Sequence, residues 1–361
     1  GNNGVWNGSL TAGGNLGVSA GDMTNNGTLA ASGNTQITTQ KLTNGGLIQA
    51  QGTQTLNATN LVNTGKLQAG GVEQIRADSL RNSGAMSAGG LLDITAGDVQ
   101  IDGSLTGLQA TQLNVGSLST TGDSTITSAG ELSLTADNAQ LGGLISTDNL
   151  LTGRFGELTT LAGSQLQSGT DADVQATGKA ILGGKLRAGQ NLLLSSGSLN
   201  SDNTAQIYGV GDVQANAGNN GVWNGSLTAG GNLGVSAGDM TNNGTLAASG
   251  NTQLATQKLT NGGLIQAQGT QTLNASELNN SSKMQSGGAQ DITANTLSNQ
   301  GVIGSQKGLG LQVADQMTVG EQGSLFAGDR LNIGGGKMIV DGTLTGKNGL
   351  TINSTSLNAG Q

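Results

Sequence analysis

The chain has 361 residues, 65 of them Gly, with no Pro, Cys or His and only 1% aromatic side chains. Charged residues make up 10% and the net charge is −8. That balance speaks against nucleic acid, which needs clustered Lys and Arg. Without His or Cys, most zinc sites and every Ser-His or Cys-His nucleophile pair are excluded.

Read from the start, the chain repeats. Leu10, Leu29, Ile48, Leu67, Met86 and Leu105 follow one another every 19 residues. Val18, Ile37, Leu56, Ile75, Ile94 and Leu113 keep the same step, as do Met23, Leu42, Leu61, Leu80, Val99 and Leu118. Gly8, Gly27, Gly46, Gly65, Gly84 and Gly103 punctuate the array. Inside one unit the apolar positions alternate, as in Leu16, Val18 and Ala20, and a period of two is the signature of a strand. Helical spacing is absent over any useful length. Three short strands per 19-residue turn predict an all-β fold, a right-handed parallel β-helix. Its coils number about 18 at a spacing of about 4.8 Å, a rod of roughly 85 Å. One coil alone buries too few large side chains to offset the entropy of ordering it, so coils must share burial and ladder bonds with their neighbours.

Residues 119–217 predict less regular coils, of 20–21 residues, with insertions expected as bulges or longer turns on one face. Residues 218–275 repeat residues 1–58 with two changes, Ile37 to Leu254 and Thr38 to Ala255. The array then stays in register to Leu80 and Leu297, and after Leu325 the 19-residue step returns with Leu344. The whole of 1–361 is therefore expected to be one continuous β-helix: regular coils over 1–118, irregular ones over 119–217, duplicated regular ones over 218–361. Neither end carries the polar cap that terminal repeats need, so the chain reads as a slice of a longer protein. No N-terminal apolar run marks a signal peptide, and no stretch is long and apolar enough to span a bilayer.

The candidate site residues are asparagines. Asn25, Asn44, Asn63 and Asn82, and later Asn242, Asn261, Asn280 and Asn299, each stand two residues after the third apolar position. Alternation points them inward at a turn, where stacked amides can bond donor to acceptor along the axis. The plainer alternative is the ordinary preference of Asn for turns. Catalytic, cofactor and metal residues are expected to be none. Asp22, Asp98 and Asp239 share a unit position, but Lys41, Asn60 and Ser79 hold it in between, so a calcium array is not expected. Gly334–Lys337 runs on into Met338 without the Ser or Thr of a phosphate loop and reads as a turn. Asp171 and Asp173 could face one way as a glycosidase pair, yet the nearest aromatic in sequence is the lone Phe155. Trp6 and Trp223, duplicated copies of one residue, fit either packing at a turn or an exposed anchor for a partner. The outward series Gly17, Gln36, Thr55, Gln74, Asp93 and Gln112 is too mixed for an ice-binding face.

Units such as GSLTAGGNLGVSAGDMTN (residues 8–25) and LVNTGKLQAGG (residues 61–71) resemble the filamentous haemagglutinin repeats. These belong to large bacterial two-partner-secretion exoproteins, both adhesins and contact-dependent growth-inhibition toxin-delivery proteins. The resemblance covers essentially the whole chain. It implies a β-helix on the outer surface of a Gram-negative bacterium, exported through an outer-membrane β-barrel transporter. It also implies a monomeric stalk that projects a receptor-binding or toxin region. An adhesive module for glycans or receptors is the alternative, and a carbohydrate-active enzyme the remote one.

Overall fold

A computed structural model describes residues 3–360. The chain divides into two compact units, Gly1–Gly178 and Lys179–Gln361. Each is a parallel β-helix, of the right-handed type, with no helical segment among the described residues.

In the first unit the predicted rows are realised as ladders. Leu10 pairs with Leu29, and the row continues through Ile48, Leu67, Met86, Leu105, Ile126 and Ile145 to Leu166. From Leu29 to Ile145 these side chains are at most 1% exposed. A β-branched or γ-branched side chain directly above its like fills the tube without gaps, which is why Leu and Ile substitute freely along the row. The second unit builds the same row from Leu186, Ile207, Leu227, Leu246, Ile265, Met284, Ile303, Leu325 and Leu344.

Each coil has three faces, two of which run together. The first face is a four-residue strand such as Thr28–Ala31. The second and third are separate in the first coil, Leu16–Ser19 and Asp22–Asn25. From Thr35–Asn44 onward they form one strand of 10 or 11 residues. The bend is visible in the side chains: Thr35, Ile37 and Thr39 are buried, Gln40 and Lys41 are both exposed, then Leu42 and Asn44 are buried again. Two outward residues in succession shift the alternation by one and turn the chain without breaking the ladder.

The irregular coils get their extra residues at two places, the corner between the long strand and the next short one and the bend within the long strand, where the register shifts between Ala217 and Asn220 and between Val313 and Gln316. Leu105 and Ile126 are 21 residues apart, as are Ile145 and Leu166. In both cases the corner is a β-turn, closed by Ser124 N–H on Thr121 O (3.2 Å) and by Ser164 N–H on Leu161 O (3.0 Å). The spacing between these two coils, Ile126 to Ile145, is the regular 19. In the second unit the 22-residue step from Ile303 to Leu325 uses the same turn, with Gly323 N–H on Gly320 O at 2.7 Å, plus one extra residue at the bend between Val313 and Gln316.

Large aromatics fit inside these narrow tubes only where glycine makes room. A Cβ on Gly221 would lie 2.2 Å from the Trp223 ring, and one on Gly153 would lie 2.6 Å from the Phe155 ring. Both rings fold over the glycine two residues earlier on the same face. Trp223 is 1% and Phe155 4% exposed.

Candidate functional site

The asparagines form hydrogen-bonded stacks at the corner before each short strand. In the first unit Asn25 Nδ2 donates to Asn44 Oδ1 (2.8 Å), Asn44 to Asn63 (2.7 Å) and Asn63 to Asn82 (2.7 Å). All four are completely buried. Each amide also closes its corner: Asn44 Nδ2 reaches Lys66 O at 3.1 Å in the next coil and Gly46 O at 3.2 Å in its own. In the second unit Asn242, Asn261, Asn280 and Asn299 are joined at 2.8, 2.7 and 2.7 Å. The stacks have a direction, because every Nδ2 points toward the following coil. A buried amide is costly unless its donors and acceptor are matched, and identical neighbours match it at every step.

Where the stack stops, the corner changes. Ile101 succeeds Asn82, and Val319 succeeds Asn299. At Leu141 and Leu182 the corner relies on glycine in the left-handed region, Gly143 at φ 67° and Gly184 at φ 66°. At Thr120 the hydroxyl takes over, donating to Gly142 O (2.8 Å) and accepting from Gly142 N–H (2.7 Å). After Thr120, Thr160, Ser201 and Val319 the corner is a longer β-turn. The tight corner thus goes most often with the Asn amide; Leu141 and Leu182 make it with a left-handed glycine, Ile101, Trp223 and Val340 make it without either, and the corners after Thr120, Thr160, Ser201 and Val319 take extra residues.

Two further rows escape the sequence reading. On the outside, Asn15 Oδ1 accepts Asn34 N–H and Asn34 Oδ1 accepts Thr53 N–H, both at 2.8 Å. The second unit repeats this through Asn191, Asp212, Asn232 and Asn251 to Thr270, at 2.7–3.0 Å. These side chains satisfy backbone donors that a turn leaves open. The signal was present, since Asn15 and Asn34, and Asn232 and Asn251, are 19 apart. Inside, Gln54 bonds Glu73 (3.0 Å) and Gln290 bonds Gln271 (2.7 Å), all four buried.

The remaining candidates fall as follows. Asp173 is engaged by Arg154, with Gln175 Nε2 on its other oxygen at 2.9 Å, and Phe155 is inside the tube, so no sugar platform stands beside the Asp171–Asp173 pair. Asp22, Asp98 and Asp239 are exposed at the outward pair of the bend. Among the described residues no group of three or more His, Cys, Asp or Glu could hold a metal ion. Gly334–Lys337 is not a turn but the bend within strand Arg330–Val340, where Gly335 sits at φ 146° with Val313 O against the place of its Cβ. Trp223 is buried and so is no exposed anchor; Trp6 is half-buried. The Nε1 of Trp223 has no partner, and neither has Oδ1 of Asn242 in the coil above it.

The profile of the haemagglutinin repeat matches residues 7–71, 49–136, 127–237, 207–283 and 285–361. The chain belongs to the haemagglutinin repeat family. No curated protein and no solved structure matches it. Haemagglutinin repeats come from secreted cell-surface exoproteins, a structural and adhesive family rather than an enzymatic one. The first four matches overlap in succession, as expected when each coil differs little from the next and a repeat can be framed at several phases. No helix among the described residues is long and apolar enough to cross a membrane.

Proposed function

We propose that this haemagglutinin repeat chain is one continuous β-helical stalk. It holds a receptor-binding or toxin region of a longer exoprotein away from the bacterial surface, in adhesion or in contact-dependent growth inhibition. Export runs through an outer-membrane β-barrel transporter of the two-partner type. The observation that carries this reading is where the chemistry of the molecule is spent. The buried amides of both units bond from coil to coil, and the commonest outer polar row does the same, so the specific polar contacts serve stacking. Repeats that touch only their neighbours make length adjustable by whole coils, which suits a spacer. The asparagine stacks are the structural residues of that spacer.

Small-angle scattering on the whole chain tests the idea. An elongated monomer supports it; a compact particle with a radius of gyration of about 21 Å, the globular expectation for this length, rejects it.

One observation favours adhesion as a second reading. On the short-strand face of the second unit, Gly304 leaves a hollow of about 460 Å³ bordered by Gln266, Gln285 and Phe326. Amides beside an aromatic ring suit a sugar. A glycan array probed with the chain should give signals that Phe326→Ala abolishes; a blank array dismisses this reading.

A further inference from the structure

The two units hold matching polar pairs in their interiors, and one of them lacks a hydrogen. In the second unit Gln290 Nε2 donates to Gln271 Oε1 at 2.7 Å. The atoms left over are Gln271 Nε2 and Gln290 Oε1, one donor and one acceptor. The equivalent residues of the first unit, 217 positions earlier, are Gln54 and Glu73. There Gln54 Nε2 donates to Glu73 Oε1 at 3.0 Å, and the atoms left over are Gln54 Oε1 and Glu73 Oε2. With an ionised carboxylate both of those are acceptors. In neither pair are the two left-over atoms hydrogen-bonded, but only the first pair can carry a charge, and a proton on Glu73 Oε2 removes it.

We propose that Glu73, buried on Gln54 with no counter-charge and no donor at Oε2, is held as a neutral carboxylic acid, so that ionisation loosens these coils of the first unit while the Gln271–Gln290 coils stay indifferent to pH.

The surroundings leave Glu73 no other source of compensation. Along its row stand Thr35, Gln54, Leu92 and Thr111, all uncharged. On the short strands of the same coils the inward residues are Ile48, Ala50, Leu67, Ala69, Met86 and Ala88. The titratable groups of the adjoining strands all lie at the surface. Arg76 is paired with Asp93 (2.8 Å) and Arg81 with Asp102 (3.2 Å), while Lys41, Lys66, Asp78 and Asp98 are exposed. A lone carboxylate in such an interior takes up a proton sooner than it stays charged. Burial accordingly pushes the Glu73 carboxyl well above its ordinary range, against a smaller opposing pull from the Gln54 hydrogen bond. Because the folded state holds the proton more tightly than the unfolded chain, the stabilisation is complete below the ordinary Glu range of about 4.3. It is lost progressively as pH rises from there toward the raised folded value.

Segment-resolved hydrogen exchange on the whole chain between pH 5 and 8, corrected for intrinsic exchange, reads the effect. In the parent, protection over residues 54–92 should fall by up to tenfold per pH unit, and at least fivefold in all. Glu73→Gln should flatten that slope, and residues 271–309 should be flat in both proteins. The reciprocal Gln290→Glu should transfer the slope to residues 271–309, which keeps the test decisive even if Glu73→Gln fails to fold. A flat parent, a Glu73→Gln chain that keeps the parent's slope, or a Gln290→Glu chain that stays flat would each overturn the proposal.

Discussion

Residues 3–82 and 220–299 are two editions of one array, and the structure builds them with nearly the same contacts. Asn25 bonds Asn44 and Asn242 bonds Asn261, both at 2.8 Å, and the next two bonds are 2.7 Å in either unit. The two editions differ in what the repeat leaves free. Asn25 Oδ1 accepts Gly27 N–H at 3.2 Å, whereas Asn242 Oδ1 has no partner in the coil above the buried Trp223. Asn60 of the first edition is Glu277 in the second, and there it meets Lys258 at 3.0 Å. The comparison teaches that the 19-residue unit dictates its own interior contacts, while the neighbouring coil dictates everything at the end of a stack.

The largest expected effect breaks the second array at its start. Trp223→Ala empties the space over Gly221 and should cost about 3–5 kcal/mol, as large aromatics in cores do. The loss should appear as lost amide protection over residues 213–242. Unchanged protection there would mean the indole is not part of the core packing.

Asn44→Ala and Asn261→Ala come next. Each removes a buried amide that makes three intercoil hydrogen bonds and strands its partners, at about 2–3 kcal/mol. Since the surroundings are the same, the two variants should weaken their own units equally in urea unfolding. A twofold inequality in that cost would show that the stacks draw on more than local contacts.

Exchanging the one interior difference between residues 1–58 and their copies at 218–275 is milder. Ile37→Leu, or Leu254→Ile, conserves volume in a row that already accepts both, and should change stability by less than about 1.5 kcal/mol. The smallest effect is electrostatic. The Lys258 hydrogen bond, then that of Asn279, holds the exposed Glu277 carboxyl below its ordinary range. Its contribution is present above the ordinary Glu range and is lost as pH falls through the lowered value. Lys258→Ala should raise the Glu277 titration toward the ordinary range by NMR, with no change in the fold. The sign is opposite to that of Glu73, so acid should weaken one edition slightly while strengthening the other.

Much of the fold was legible before any coordinates. Leu29, Ile48 and Leu67 had to superpose because only stacking in register hides a residue that recurs every 19 positions. The inward direction of Asn44 also followed from alternation with Leu42. Other features were hidden for identifiable reasons. Glu73 alternates with Ile75 and so pointed inward in the sequence, but Glu is ordinarily a surface residue, and only the packed coils reveal that its second oxygen meets neither a donor nor a counter-charge. Phe155 gave no sign of burial, and Trp223 left packing at a turn and an exposed anchor both open, because their space comes from Gly153 and Gly221, and glycine is everywhere in this chain.

By itself, then, the sequence determined the period, the identity of the three apolar rows and the class of fold, since these follow from spacing alone. Tertiary structure decided how the corners are closed. An Asn amide, a left-handed glycine and a four-residue turn can each carry the chain into the next strand. Where the amide does it, the closure rests on the coils above and below presenting a matching donor or acceptor. That match is a property of stacked neighbours, and no single unit contains it.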